Sequence, residues 1–215
     1  MNTTITQLLT DTWFTASWDE YIQTVEQPKY EKASCYYHQG KLRIEMSPLG
    51  NDHAKDHSII NYAIHLFAAL KSIPLNGHDN CSYRQQGYQE AQPDLSFYIG
   101  DKVNLIPWGT TIINLEQYQP PSLVIEVANT SLDDDLGNKR ILYEDLKVEE
   151  YWVIDVQNAQ VIAFTIEQKN QGSYRIDESQ VLPGLAISLL TQALARTRQI
   201  PHSEVSAWLL AQFQS

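Results

Sequence analysis

The stretch Leu123-Val124-Ile125-Glu126-Val127-Ala128 limits the fold more than any other part of the chain. Side chains alternate along a strand, so Leu123, Ile125 and Val127 share one face, and Val124, Glu126 and Ala128 share the other. A strand apolar on both faces belongs inside a sheet that is covered on both sides. Glutamate is rarely buried without a partner, so Glu126 must have one. The stretch Pro93-Asp94-Leu95-Ser96-Phe97-Tyr98-Ile99 repeats the pattern: Leu95, Phe97 and Ile99 lie on one face, Asp94, Ser96 and Tyr98 on the other. If the two strands are neighbours, Asp94 and Glu126 point into the same space. Two carboxylates about 4 Å apart repel by about 4 kcal/mol at an effective dielectric of about 20. A proton, a cationic side chain or a metal ion must offset that. Two hard oxygen ligands with room for waters suit Mg²⁺ or Mn²⁺. The plainer alternative is that Asp94 ends a turn after Pro93 and Glu126 pairs with an arginine across the sheet.

The remaining chain supplies a setting for such strands. Its 215 residues suit one compact domain, and 43% hydrophobic with 19% charged residues supports a sizeable core. The spacing of Trp13, Phe14, Trp18, Tyr21 and Val25 predicts a short amphipathic helix ending near Pro28. Residues 34–47 read as two strands around a turn at Gln39-Gly40. A helix runs to about Leu70 from an N-cap at Asn51 or Asp52, with Ile59, Ile60, Ala63, Ile64, Phe67 and Leu70 at helical spacing. Residues 73–80 read as a turn-rich loop, Cys81–Arg84 as a strand, and 101–121 mostly as loop. A helix at about Leu136–Lys147 follows Leu123–Ala128. Next comes a hairpin around Asn158, then helices near Leu189–Arg198 and Glu204–Gln214. Alternating strands and helices predict an α/β or α+β sheet covered on its faces. The expected division is an N-terminal helical extension (1–33), a core (34–190) and a C-terminal helical segment (191–215), all in one structural domain.

Several classes are disfavoured. No run of about 18 apolar residues is present, so no membrane span is expected. The first residues lack the basic and apolar regions of a signal peptide. Cys35 and Cys81 have no CxxC spacing, which argues against zinc, leaves a disulfide open and makes a cytoplasmic location the default. The net charge of −11 opposes non-specific gripping of nucleic acid, which needs a basic face.

The helix after the glutamate strand adds chemistry. Lys139 and Tyr143 lie at i, i+4 on one face, and Asp133, Asp134 and Asp135 stand near its start, where a capping cluster is expected. The helix can aim Lys139 back at Glu126, with Leu136, Ile141, Leu142 and Leu146 as its anchoring face. A lysine beside two metal-bound carboxylates can orient or activate water while the metal stabilises charge on a phosphate.

Taken in order, four groups of residues resemble the Uma2 family (DUF820). They are Pro93-Asp94-Leu95; Glu126-Val127 with Ser131; Asp135-Leu136-x-x-Lys139-x-x-x-Tyr143; and Val148-x-Glu150-Tyr151-Trp152-Val153-Ile154-Asp155. Gly40-Lys41-Leu42, Met46-Ser47-Pro48 and His53 match the family's earlier pattern, and the resemblance covers roughly residues 34–190. The family is abundant in cyanobacteria and belongs to the PD-(D/E)XK nuclease superfamily. The resemblance implies a restriction-endonuclease-like mixed sheet flanked by helices, Mg²⁺-dependent (or Mn²⁺-dependent) cleavage of nucleic acid, and a homodimer. It implies Asp94 and Glu126 as metal ligands and Lys139 as the third catalytic residue. There are two departures. The superfamily's Glu-x-Lys lysine falls at Ala128, so Lys139 stands as a migrated lysine. A glutamate common among relatives falls at Tyr36, so Glu45 either substitutes for it or is a surface strand residue.

Glu45, His53 and Tyr143 are therefore accessory candidates. His53 and His57 have a zinc-clamping spacing but no third ligand in pattern. They are polar helix-face residues or, if functional, contacts to a substrate phosphate. Arg84, Lys55 and Arg140 are candidates for local positive charge. Val205, Trp208, Leu209 and Phe213 form a stripe that docks on the core or on a partner subunit. Two functions follow: a metal-dependent endonuclease, or an inactive nuclease-fold homodimer that binds or regulates.

Overall fold

The computed structural model describes residues 10–46, 50–167 and 172–214. Ser47 and Pro48 of the family pattern lie outside them. Among the described residues the architecture is mixed α/β, with two six-stranded sheets where the sequence suggested one. The first sheet holds β1 (Phe14–Thr15), β2 (Ser34–His38), β3 (Lys41–Glu45), β5 (Ser82–Gln85), β6 (Gln89–Ala91) and β8 (Ile112–Asn114), in the order β1-β3-β2-β6-β5-β8. The second holds β4 (Leu75–Asp79), β7 (Leu95–Ile99), β9 (Leu123–Ala128), β10 (Glu150–Asp155), β11 (Gln160–Glu167) and β12 (Gly172–Arg175), in the order β12-β11-β10-β9-β7-β4.

The helices are α1 (Trp18–Val25), α2 (Asn51–Leu70), α3 (Leu132–Leu136), α4 (Asn138–Asp145), α5 (Ile187–Thr197) and α6 (His202–Gln214). None of the described helices is long and apolar enough to cross a membrane. Ser17 caps α1 in a reciprocal capping box with Glu20, which satisfies backbone donors at the helix start. At α2 the N-cap is Gly50, not Asn51 or Asp52, and no side chain caps it.

The second sheet has the two covered faces that its sequence demands. Leu123, Ile125 and Val127 join Leu95, Phe97 and Ile99 in the larger core beneath α2, α5 and α6. Val124 and Ala128 lie in the opposite core with Leu142, Tyr143 and Tyr151. Parallel strands need a crossover, and α3 and α4 provide it between β9 and β10. The crossover is two helices, not one. Gly137 separates them, where a Cβ would stand 2.8 Å from the Asp133 carbonyl oxygen, so a side chain there forces a shift. Leu142 and Leu146 anchor α4 as expected, but Ile141 does not: it is 43% exposed. Val205, Leu209 and Phe213 are buried against the protein's own α2 and α5 side, with Phe213 edge-on to Phe67 at 5.2 Å. Cys35 and Cys81 are both free thiols.

Candidate active site

Strand register explains why the two carboxylates meet. β7 and β9 are antiparallel, with Leu95 opposite Ile125 and Ser96 opposite Val124. One further step puts Asp94 opposite Glu126. Asp94 Oδ2 accepts the Val127 backbone N–H at 2.7 Å, which pins it to the neighbouring strand. Both residues line one pocket of about 600 Å³, and Glu45, His53 and Lys139 line it too. The first sheet supplies Glu45 at the end of β3, α2 supplies His53, and α4 supplies Lys139 from its first turn.

Lys139 is the hub. Its side chain is 1% exposed. Its Nζ stands 3.0 Å from Glu45, 3.0 Å from Asp135 and 3.5 Å from Glu126, and 4.3 Å from the Tyr36 ring centre. Glu126 also has two tyrosine partners. The Tyr143 hydroxyl donates to Oε1 at 2.6 Å, and the Tyr36 hydroxyl lies 3.3 and 3.4 Å from the two oxygens while donating to the Gln92 carbonyl at 2.9 Å. Hence the residue that departs from the family pattern, Tyr36, is a direct neighbour of the buried glutamate.

The site holds residues that sequence reasoning missed. Asp135 is 1% exposed and accepts from the Ser131 hydroxyl, so it is part of the cluster and not only a helix cap. Its i, i+4 spacing to Lys139 was the available signal. Arg43 lines the pocket, with Nε 2.7 Å from Glu45 and 3.3 Å from Asp134. The cations expected from sequence are elsewhere: Arg84 pairs with Glu90, Arg140 with Glu144 and Ser173, and neither they nor Lys55 line the pocket. His53 Nε2 is 3.3 Å from Asp94 Oδ2, while His57 Nε2 is 3.3 Å from the Asp94 carbonyl and 3.4 Å from Asp79.

Four carboxylates crowd one ammonium, and their environments push them apart. Burial drives Glu126 well above the ordinary carboxylate range; Lys139 opposes this, but Asp94, Asp135 and Glu45 reinforce it. Burial also raises Asp135 against the pull of Lys139 and Ser131. For Asp94 burial is outweighed by the His53 hydrogen bond and charge, Lys139 and the Val127 N–H, so it is held below its usual value. Glu45 is lowered too, because Lys139 and Arg43 overcome its burial. Burial works against charge on Lys139, yet Glu126, Asp135 and Glu45 hold its proton firmly. Asp94 and Glu45 are thus pushed towards the charged form and Glu126 towards the neutral one, a divergence that clusters at functional sites.

This donor chemistry fits a hard divalent cation. Asp94 and Glu126 offer oxygens from adjacent strands, and the carboxylate excess is what a dication neutralises. Among the described residues no group of three or more His, Cys, Asp or Glu side chains forms a metal cage. Mg²⁺ commonly binds through only one or two carboxylates and keeps several waters.

A family model described as "Uma2: Putative restriction endonuclease" matches residues 18–201. The chain belongs to the Uma2 family. Among solved structures it is similar to one described as "a putative nuclease belonging to DUF820" from Anabaena variabilis ATCC 29413. The two share 19% sequence identity with a TM-score of 0.55, covering 90% of this chain and 99% of that one. At that identity the likeness establishes a shared fold for this Uma2 member. No curated protein matches it.

Proposed function

We propose that this Uma2 protein is a Mg²⁺- or Mn²⁺-dependent endonuclease that hydrolyses phosphodiester bonds in nucleic acid. The observation that carries the reading is the buried cluster itself: Asp94 and Glu126 in one pocket, with Lys139 enclosed beside Glu126. Burying several charges this closely is costly, and a site that binds a dication and a phosphate gives that cost a purpose. The family description and the nuclease-like fold of the Anabaena protein support the same reading.

Asp94 and Glu126 are the residues that would hold the metal. When bound, it would supply Lewis-acid stabilisation of charge on a transferring phosphate. Tyr143 and Tyr36 aim the Glu126 oxygens, and the Val127 N–H and His53 fix Asp94. Lys139 keeps its proton in this setting. Its part is therefore to orient water and stabilise anionic charge, not to remove a proton. Glu45 and Asp135 hold the Lys139 ammonium in place, and Arg43 holds Glu45. His53 lines the pocket with Nε2 turned to Asp94, so its part is to hold that carboxylate. The presence of Asp94, Glu126 and Lys139 together in one pocket supports the enzyme over an inert binding dimer.

Titration calorimetry tests the metal site. Wild type should bind one Mn²⁺ per chain, and Asp94→Ala and Glu126→Gln should each weaken binding by at least tenfold, about 1.4 kcal/mol. Equal binding by wild type and both variants would remove the site.

A further inference from the structure

We infer that the substrate enters this pocket as an unpaired single strand, one or two nucleotides deep, and not as an intact duplex; this rests on the nuclease reading above. The reacting groups are not at a surface. The side chains of Glu126, Lys139 and Asp94 are 2%, 1% and 15% exposed, and all three line a pocket of about 600 Å³. That volume falls in the range of roughly 300–1,000 Å³ in which proteins engulf small ligands. It holds a nucleotide or two once they are unstacked. Duplex phosphates ride on a convex rod, about one charge per 1.7 Å of axis, and reach a recessed group only if the strand leaves the helix.

The charge around the pocket points the same way. Five carboxylates, three lysine or arginine side chains and His53 line it. Arg43 and Lys139 are held by carboxylates. Asp11 and Glu31 add negative charge to the lining. Duplex binders draw most of their non-specific affinity from many simultaneous phosphate contacts. A wall like this one repels the flanking phosphates of a rigid duplex. A flexible strand can place a single phosphate over Asp94 and Glu126 and turn its neighbours outward. Asn80, Gln92, Asn129 and Thr130 line the same pocket with uncharged polar groups. Such groups can meet the base edges that unpaired nucleotides expose.

The test separates binding from cleavage. Full-length protein in Ca²⁺ is titrated into a fluorescein-labelled single strand of about 12 nucleotides, and into the same sequence closed as a blunt hairpin duplex, with polarisation as the readout. The single strand should bind at least about tenfold tighter. Equal or tighter binding of the duplex overturns the inference, as does absence of single-strand binding at about 100 µM protein. Thr130→Trp, which narrows the pocket at an exposed position, should weaken single-strand binding by about tenfold with an unchanged circular dichroism spectrum. Unchanged binding by that folded variant places the strand outside the pocket and also overturns the inference. Should Thr130→Trp fail to fold, Asn129→Leu takes its place with the same two outcomes. Cleavage with Mn²⁺ is measured separately on both substrates. Duplex cutting at the single-strand rate leaves the nuclease reading standing and refutes this inference. Single-strand binding without any cutting does the reverse.

Discussion

Replacing Lys139 by methionine keeps most of the buried stem and removes only the charge. The structure sets the size of the effect. The ammonium is 1% exposed and stands 3.0–3.5 Å from Glu45, Asp135 and Glu126, two of which are themselves 1–2% exposed. Removing one partner of a buried ionic cluster commonly costs 3–5 kcal/mol. Against a typical total stability of 5–15 kcal/mol, that is a large share. The cost should depend on pH in a defined sense. Glu126 and Asp135 already have raised pKa values in the folded state. Without Lys139 they rise further, so the folded variant keeps protons that the unfolded chain releases above about pH 4. A raised folded pKa gives stability that is present at low pH and lost as pH climbs towards that value. Lys139→Met should therefore lose about 3–5 kcal/mol at pH 8 and clearly less at pH 5. Urea unfolding in EDTA, with wild type and variant compared at both pH values, reads this directly. A loss below about 1 kcal/mol at pH 8, or one equal at both pH values, would refute the picture of Lys139 as the cluster's counter-charge.

Other expectations follow from the same contacts. Burial pushes the Glu126 carboxyl up, so Mn²⁺ binding there should compete with protonation: affinity should climb with pH by up to tenfold per unit, and calorimetry in buffers of different ionisation enthalpy should show proton release; pH-independent affinity counts against Glu126 as a ligand. Tyr143→Phe removes a 2.6 Å hydrogen bond to that carboxylate and should cost about 1–3 kcal/mol in urea unfolding, with Mn²⁺ affinity reduced; an unaltered midpoint would show that Tyr36 alone suffices. Arg198 grips the fully buried Asp56 through both terminal nitrogens at 2.6 Å and ties the α5–α6 junction to α2. Since Arg198 is about a third exposed, Arg198→Ala should cost up to about 3 kcal/mol, and a neutral result would mean that Asp56 finds water instead. We propose a homodimer on the family resemblance; sedimentation that shows only a 24.6 kDa species at tens of micromolar would exclude it.

The buried strands were legible because their pattern is local. Alternation in Leu123–Ala128 and Leu95–Ile99 fixed which side chains share a face, and both faces pack as that pattern requires. Lys139 was readable as well, since a helix that follows a buried strand returns over it. Strand β4 was hidden: Leu75–Asp79 carries Gly77 and Asn76, and its edge position, paired only with β7 in the sheet order, demands no apolar alternation. Strand β6, Gln89–Ala91, is three residues without a pattern and owes its form to pairing with β2 and β5. The split into two sheets is likewise a matter of long-range pairing. Within the site, Tyr36 looked like the loss of a carboxylate, because no local signal shows that its hydroxyl reaches Glu126 from 90 residues away. Glu45 was ambiguous for the same reason: its strand is amphipathic, and only the three-dimensional position of Lys139 turns it into a site residue.

If Asp94, Glu126 and Lys139 make a metal-dependent nuclease, as proposed, cleavage must need both the metal and Asp94. A labelled oligonucleotide is incubated with wild type and with Asp94→Asn, purified side by side, in Mn²⁺ and in EDTA. Wild type should cut in Mn²⁺ alone, and Asp94→Asn should lose at least a hundredfold, about 2.7 kcal/mol of transition-state stabilisation. Cutting that persists in EDTA, or that Asp94→Asn retains in full, would contradict the proposal.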